Sequence, residues 1–263
     1  MRAARRPRRI GVLLGFAALA AGWSGGGRAQ DIRATYSATW AGLPAAGVRL
    51  ILHDGTTRYD DRIVIATRGL PWLFTRFRGS ATAEGRIGTR IPAEPLAYDA
   101  IFDLHKRRDR RISLRFVRRG DARVIERGPA NSSDKPPLAR RFRTNAVDPL
   151  SALERIREAI AAAPVPGASF TVPVYDGTRR FDVVGRILSR SRGNPGTLRL
   201  DLILRPIAGF KNRPGAEDPE NAPRTVELLV TDDGRALPLW LRVPIWYLPL
   251  VVRLDRLDGG AQR

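Results

Sequence analysis

The chain has 263 residues, a formal net charge of +20 and no cysteine, which excludes disulfides, thiolate metal sites and cysteine nucleophiles and leaves packing to hold the fold. Six arginines and no acids lie in residues 1–29, so residues 30–263 still carry +14, nearly all of it arginine. Such a balance suits an anionic envelope polymer or a membrane surface, and with no recognition motif in view nucleic acid is not an expected partner.

Taken in chain order, Arg2, Arg5, Arg6, Arg8 and Arg9 lead into the apolar stretch 10–21, followed by small residues at 24–27. A charged segment, a short apolar run and small residues make a secretory signal peptide, and the run is shorter than the roughly 20 residues a bilayer span needs. Cleavage is expected between Ala29 and Gln30, with a retained anchor as the alternative. Pro7 beside the pair Arg5-Arg6 favours ordinary secretion over twin-arginine export. Residues 1–29 are therefore assigned to the signal peptide, and 30–263 to a single β-rich domain in the periplasm with no transmembrane span after cleavage.

Residues 33–40 and 48–53 read as strands around a glycine- and proline-punctuated loop at 42–47. Asp54-Gly55 turns the chain into a partner strand from Tyr59 to Thr67, because Asp-Gly supplies positive φ angles at little cost. In 98–105, Tyr98, Ala100, Phe102 and Leu104 alternate with Asp99, Ile101, Asp103 and His105, and Ile112, Leu114 and Phe116 continue the pattern in the next strand. Residues 121–137 read as a polar loop. Asp148-Pro149 then opens a helix, an acceptor at the N-cap followed by proline where its missing N–H is harmless. Leu150, Leu153, Ile156 and Ile160 recur at helical spacing until Pro164 and Pro166. Strands resume over 169–175, 181–187, 198–205, 225–230, 237–243 and 251–257. The expected class is mainly β (α+β), a strongly curved antiparallel sheet or near-closed β-barrel with one helix packed on it.

The order Gly42 to Gly47, Gly79, Pro92 to Tyr98, Asp148-Pro149-Leu150-Ser151, Tyr175-Asp176-Gly177 with Arg179-Arg180-Phe181, Arg205-Pro206-Ile207-Ala208-Gly209-Phe210 and Leu237-Pro238 resembles an uncharacterised family of exported bacterial proteins, domain-of-unknown-function family 3108. The resemblance covers nearly all of the chain after residue 29. It implies a β-rich periplasmic protein and assigns no catalytic residue. Where family members often carry a cysteine before the Pro-Ile-Ala-Gly segment, this chain has a leucine-rich run.

Chemistry-bearing patterns are sparse. Gly22, Ser24 and Gly26 match a nucleophile elbow only inside the signal segment, without the strand and helix an elbow needs. His53 and His105 have no ligand spacing and the acids are scattered, so no metal set, catalytic set or cofactor is assigned. Asp99, Asp103 and His105 share a strand face, which Arg111 and Arg115 neutralise across the hairpin. Two aromatic, proline-interrupted segments remain: 70–74 and 237–250. They are read either as core or, through Trp72, Phe74, Trp246 and Tyr247, as the mouth of an apolar pocket. Arg179 and Arg180 are the anion-contact candidates. The function read from these features is a non-enzymatic envelope binding or carrier module for a lipid or amphiphile. The alternatives are an assembly factor that binds a protein or polyanion and, behind it, a hydrolase.

Overall fold

The computed structural model describes residues 30–259 apart from 69–76, 89–91, 105–106, 129–135, 194–195, 211–221 and 246–247. Residues 1–29, expected to be a signal peptide, lie outside the described residues. Thirteen strands form one antiparallel sheet. In chain order they are β1 (Gln30–Trp40), β2 (Leu43–Asp54), β3 (Arg58–Thr67), β4 (Phe77–Arg86), β5 (Glu94–Leu104), β6 (Arg107–Arg119), β7 (Ala122–Arg127), β8 (Ser169–Tyr175), β9 (Arg180–Ser191), β10 (Thr197–Ala208), β11 (Arg224–Thr231), β12 (Pro238–Ile245) and β13 (Leu248–Asp258). A 3-10 turn at Arg140–Arg143 and the helix α1 (Pro149–Ala162) separate β7 from β8.

The sheet order is β7-β6-β5-β4-β3-β2-β1-β13-β12-β11-β10-β9-β8, so strands paired in the sheet are consecutive in the chain except β1 and β13, while β7 and β8, consecutive in the chain, form the two edges. The sheet curls strongly without closing. Its two edges are joined by backbone pairing through the segment before the helix, and Arg127 of β7 donates to the Gly177 carbonyl in the β8–β9 turn. Val124 of β7 bridges Thr144, and Val147 bridges Val174 of β8. Asn145 donates its N–H to the Arg123 carbonyl and accepts from the Arg123 N–H through Oδ1, while Val147 N–H donates to the Pro173 carbonyl and Tyr175 N–H to that of Val147. Asn145 sits at φ 52°, a left-handed conformation that asparagine tolerates better than most residues.

Because α1 touches both β3–β5 and β8, which stand far apart in the sheet order, it lies inside the curl. Leu150 belongs to the apolar cluster built by β1–β7, with Ile32, Leu52 and Leu114; Ala152, Ile156 and Ile160 belong to the cluster built by β8–β11, with Val174, Ile187 and Leu200. The helix is thus surrounded and not laid on one flat face, and Glu154 and Arg157 are buried beside its apolar stripe. Leu153, placed on the stripe by its spacing, is only partly buried.

Two segments differ from the sequence reading. The loop at 42–47 is a two-residue turn: Ala41 and Gly42 both take positive φ, and Pro44 enters β2 beside a bulge that accommodates a residue without an N–H. In 121–137 the polar reading hides β7, where Val124 and Ile125 are buried between charged neighbours after a turn at Gly120. β4 also stands where no strand is read. Past Phe77 its inward residues are Gly79, Ala81, Ala83 and Gly85, too small to show apolar alternation yet suited to a sheet face against which a helix packs.

Candidate ligand-binding site

Alternate strand ends define two ends of the curled sheet. The connections β1–β2, β3–β4, β5–β6, β8–β9, β10–β11 and β12–β13 lie at the end here termed upper, and the remaining hairpin turns lie at the lower. Of the six sequence-derived candidates, Arg179 and Arg180 are among the described residues. Trp72 and Phe74 lie in the β3–β4 connection and Trp246 and Tyr247 in the β12–β13 connection; these four are outside the described residues. Arg179 and Arg180 stand at the β8–β9 turn, where Asp176 Oδ1 accepts the N–H groups of Thr178 and Arg179. Arg179 pairs with Asp176 at 2.8 Å, carries its guanidinium 5.6 Å from the Phe210 ring centre and stays half exposed. Arg180 is largely buried and held by Asp182 at 2.7 Å.

Two clefts open near the upper end on the inner face. One, of about 270 Å³, lies between β3–β5 and the start of α1 and is lined by Ile63, Ile65, Phe77, Tyr98, Phe102 and Leu150 among others. Its walls are almost wholly apolar. Gly79, paired with Phe102, brings the backbone close to the Phe77 ring and keeps this wall thin. The second, of about 290 Å³, sets Phe181, Leu204, Pro206, Phe210 and Val243 beside Arg179 and Arg224. It therefore offers an apolar wall and two guanidinium groups. Strand alternation alone could have marked Ile63 and Ile65, or Leu204, as inward; no sequence signal joined them to Phe102 or Arg224.

Leu43, Ile207 and Leu248, each with more than two-fifths of its surface exposed, stand at upper strand ends, and Ile101 is similarly exposed nearby. Asp99, of the acid-bearing face, pairs with Arg115 at 2.9 Å as a cross-strand ion pair. His105 lies outside the described residues.

Below the clefts the helix carries a buried polar chain. Asp148 caps α1 by accepting from the N–H groups of Leu150 and Ser151 at 2.9 and 2.8 Å. The Ser151 hydroxyl donates to its other oxygen and receives the Tyr59 hydroxyl proton at 2.7 Å. Burial raises the Asp148 carboxyl to about 6 in spite of these donors. Asp61 also points inward. Burial, and after it the nearby carboxylates of Glu154 and Asp54, holds it well above the usual carboxylate range.

The model of a family described as protein of unknown function DUF3108 matches residues 35–255. The chain belongs to the DUF3108 family. Among solved structures, this DUF3108 protein is similar to a β-barrel-like protein of domain of unknown function DUF1849 from Brucella abortus, at 10% identity and a TM-score of 0.53, over 89% of this chain and 100% of that one. That likeness concerns the fold. No curated protein matches the chain.

Proposed function

We propose that this DUF3108 protein is an exported, non-enzymatic binding module of the cell envelope whose ligand is an amphiphile: an apolar chain held at the upper end of the curled sheet, with an anionic headgroup near Arg179 and Arg224. The observation that carries this reading is the pairing, at one end, of an almost wholly apolar cleft with an apolar cleft edged by arginines. Curved sheets with such walls hold small ligands by burying most of their apolar surface, while a few polar groups fix orientation. The exposed Leu43, Ile207 and Leu248 at the same end support contact with a membrane surface, where an amphiphile would be taken up or released.

The test is titration of the purified protein with a fatty acid and with the corresponding neutral alcohol, read by displacement of a fluorescent fatty acid. Saturable binding of the acid is expected, weaker binding of the alcohol, and at least tenfold weaker acid binding in Ile65→Arg, about 1.4 kcal/mol. Indifference to both amphiphiles would overturn the reading. Equal binding of both would retain the apolar site and remove the arginines from it.

A second reading, an assembly factor, is favoured by one observation. Between the edges of β7 and β8 lies a polar cavity of about 300 Å³ lined by Arg118, Arg123 and Arg155, by Glu94, which pairs with Arg123, and Asp121, and by Thr171–Pro173 of β8. A partner's extended segment could pair there with the part of the β8 edge that precedes the bridge at Val147, its acids meeting the arginines.

A further inference from the structure

The lower end has the opposite electrostatic character. Asp54 ends β2, Asp61 points inward from β3 opposite Leu52, and Glu154 projects from the middle of α1. Scattered over a hundred residues of sequence, these three carboxylates converge so that one oxygen from each lies within 4.8 Å of the others. Arg157 answers part of this charge. Its guanidinium pairs with Asp54 at 2.9 Å and with Glu154, and its Nε donates to the Arg235 carbonyl. Asp61 is left out of that arrangement. It has no exposed surface, no N–H or hydroxyl donor reaches either of its oxygens, and it faces the Glu154 carboxyl. The hydroxyl of Tyr36, buried on β1 and within the field of Arg157, is likewise without a partner.

Three carboxylates against one guanidinium leave an excess of two negative charges at a site where Asp61 and Glu154 are buried, and such an excess is costly unless it is compensated. We infer that Asp54, Asp61 and Glu154 bind one divalent cation of the calcium class. A divalent ion brings the cluster to neutrality with Arg157 retained, and gives the Asp61 oxygens the partner they lack. An all-oxygen donor set selects a hard cation. Oxygens that ligate calcium stand about 2.3 to 2.6 Å from the ion, so three of them within 4.8 Å of one another can share one centre. Calcium also accepts irregular geometry, which suits ligands drawn from two strands and a helix.

Asp54, with 23% of its side chain exposed, brings the cluster to the surface. It also lines a cavity of about 370 Å³ at the lower end, together with Asp31, Asp60 and Glu84, facing Arg58 and His53. On a chain of strongly positive net charge this local surplus of acids concentrates cations at the entrance.

The experiment uses the intact folded protein, stripped with a chelator, and follows thermal unfolding and calorimetric titration with calcium chloride, with magnesium and zinc chlorides in parallel. Calcium is expected to bind at one ion per chain and to raise the unfolding midpoint by about 5 °C or more at saturation. Magnesium should give a smaller shift. Asp61→Asn removes the unpartnered charge without changing shape; it should fold and lose the calcium response. Glu84→Gln, at the entrance but outside the cluster, should keep it. No calcium binding to the wild-type protein would overturn the inference and leave a proton on Asp61 as the compensation. An equal response in Asp61→Asn would also overturn it, by placing the ion on the surface acids.

Discussion

Asp148 concentrates at one residue what the sequence shows and what it hides. As an acceptor before a proline it is legible as a helix cap, and it caps α1 in the structure. Its complete burial and its link through Ser151 to Tyr59 are not legible, because Tyr59 stands 92 positions from Ser151 and only the curl of the sheet brings them together. The raised carboxyl has a signed consequence. With an ordinary value of 3.8 and a folded value of about 6, the native state holds the proton more tightly, so this group's stabilising contribution is complete below pH 3.8 and is lost as pH rises through about 6. Denaturant titrations from acid to neutral pH should show wild-type stability declining across that window relative to Asp148→Asn, the difference levelling off above it. A difference independent of pH would mean that the carboxylate is not desolvated. Asp148→Ala should cost at least about 2 kcal/mol, since it removes the cap and also leaves the Ser151 hydroxyl without its acceptor.

At the scale of elements, alternation announces the leucine- and isoleucine-bearing strands, and the stripe from Leu150 to Ile160 announces the helix. What alternation cannot announce is a strand whose inward residues are small, as in β4, or an enclosed helix whose buried surface includes Glu154 and Arg157. Enclosure also ranks the helix positions. Ile160, 1% exposed, should cost about 2 to 5 kcal/mol as Ile160→Ala, while Leu153→Ala, at a partly buried site, should cost distinctly less when both are measured by urea unfolding. The curl itself has a local device. Gly85 lies directly across from Tyr59 and Gly185 across from Phe170, and in each pair the ring covers the glycine so closely that a Cβ would fall 2.4 Å and 2.1 Å from it. Aromatic rings over cross-strand glycines allow a sheet to bend sharply and still cover its backbone. Gly185→Ala should therefore destabilise by about 1 to 3 kcal/mol, and Phe170→Ala in the same chain should recover part of the loss. Simple additivity of the two substitutions would show that the ring does not rest on the glycine.

For the molecule as a whole, the near-barrel class was legible in the density of strands and turns, but the completion of the curl was not, because it depends on a few residues around Asn145 that form no strand of their own. Asn145→Ala should leave the sheet folded and weaken this junction, seen as faster hydrogen exchange at the amides of Val147 and Tyr175 than at those of β1. Of the six site candidates, Arg179 and Arg180 stand at the β8–β9 turn and the four aromatic ones lie outside the described residues; which connections share an end follows from the strand order, which composition does not show. That same order has a consequence for how the molecule is assembled. β1 and β13 lie side by side at the centre of the sheet. A chain delivered amino end first can build β2–β7 hairpin by hairpin, and later β8–β12, yet β1 presents a bare edge of unpaired amides until β13 arrives to zip the two halves together. Such an edge is a template for pairing between molecules. Delivery in that direction leaves every nascent copy sticky until its final strand emerges, so a chain cut after Ile245, with both β1 and β12 uncovered, should be recovered in the insoluble fraction, whereas a circular permutant opened within 129–135 and joined from 259 to 30 should fold with its central strands already consecutive.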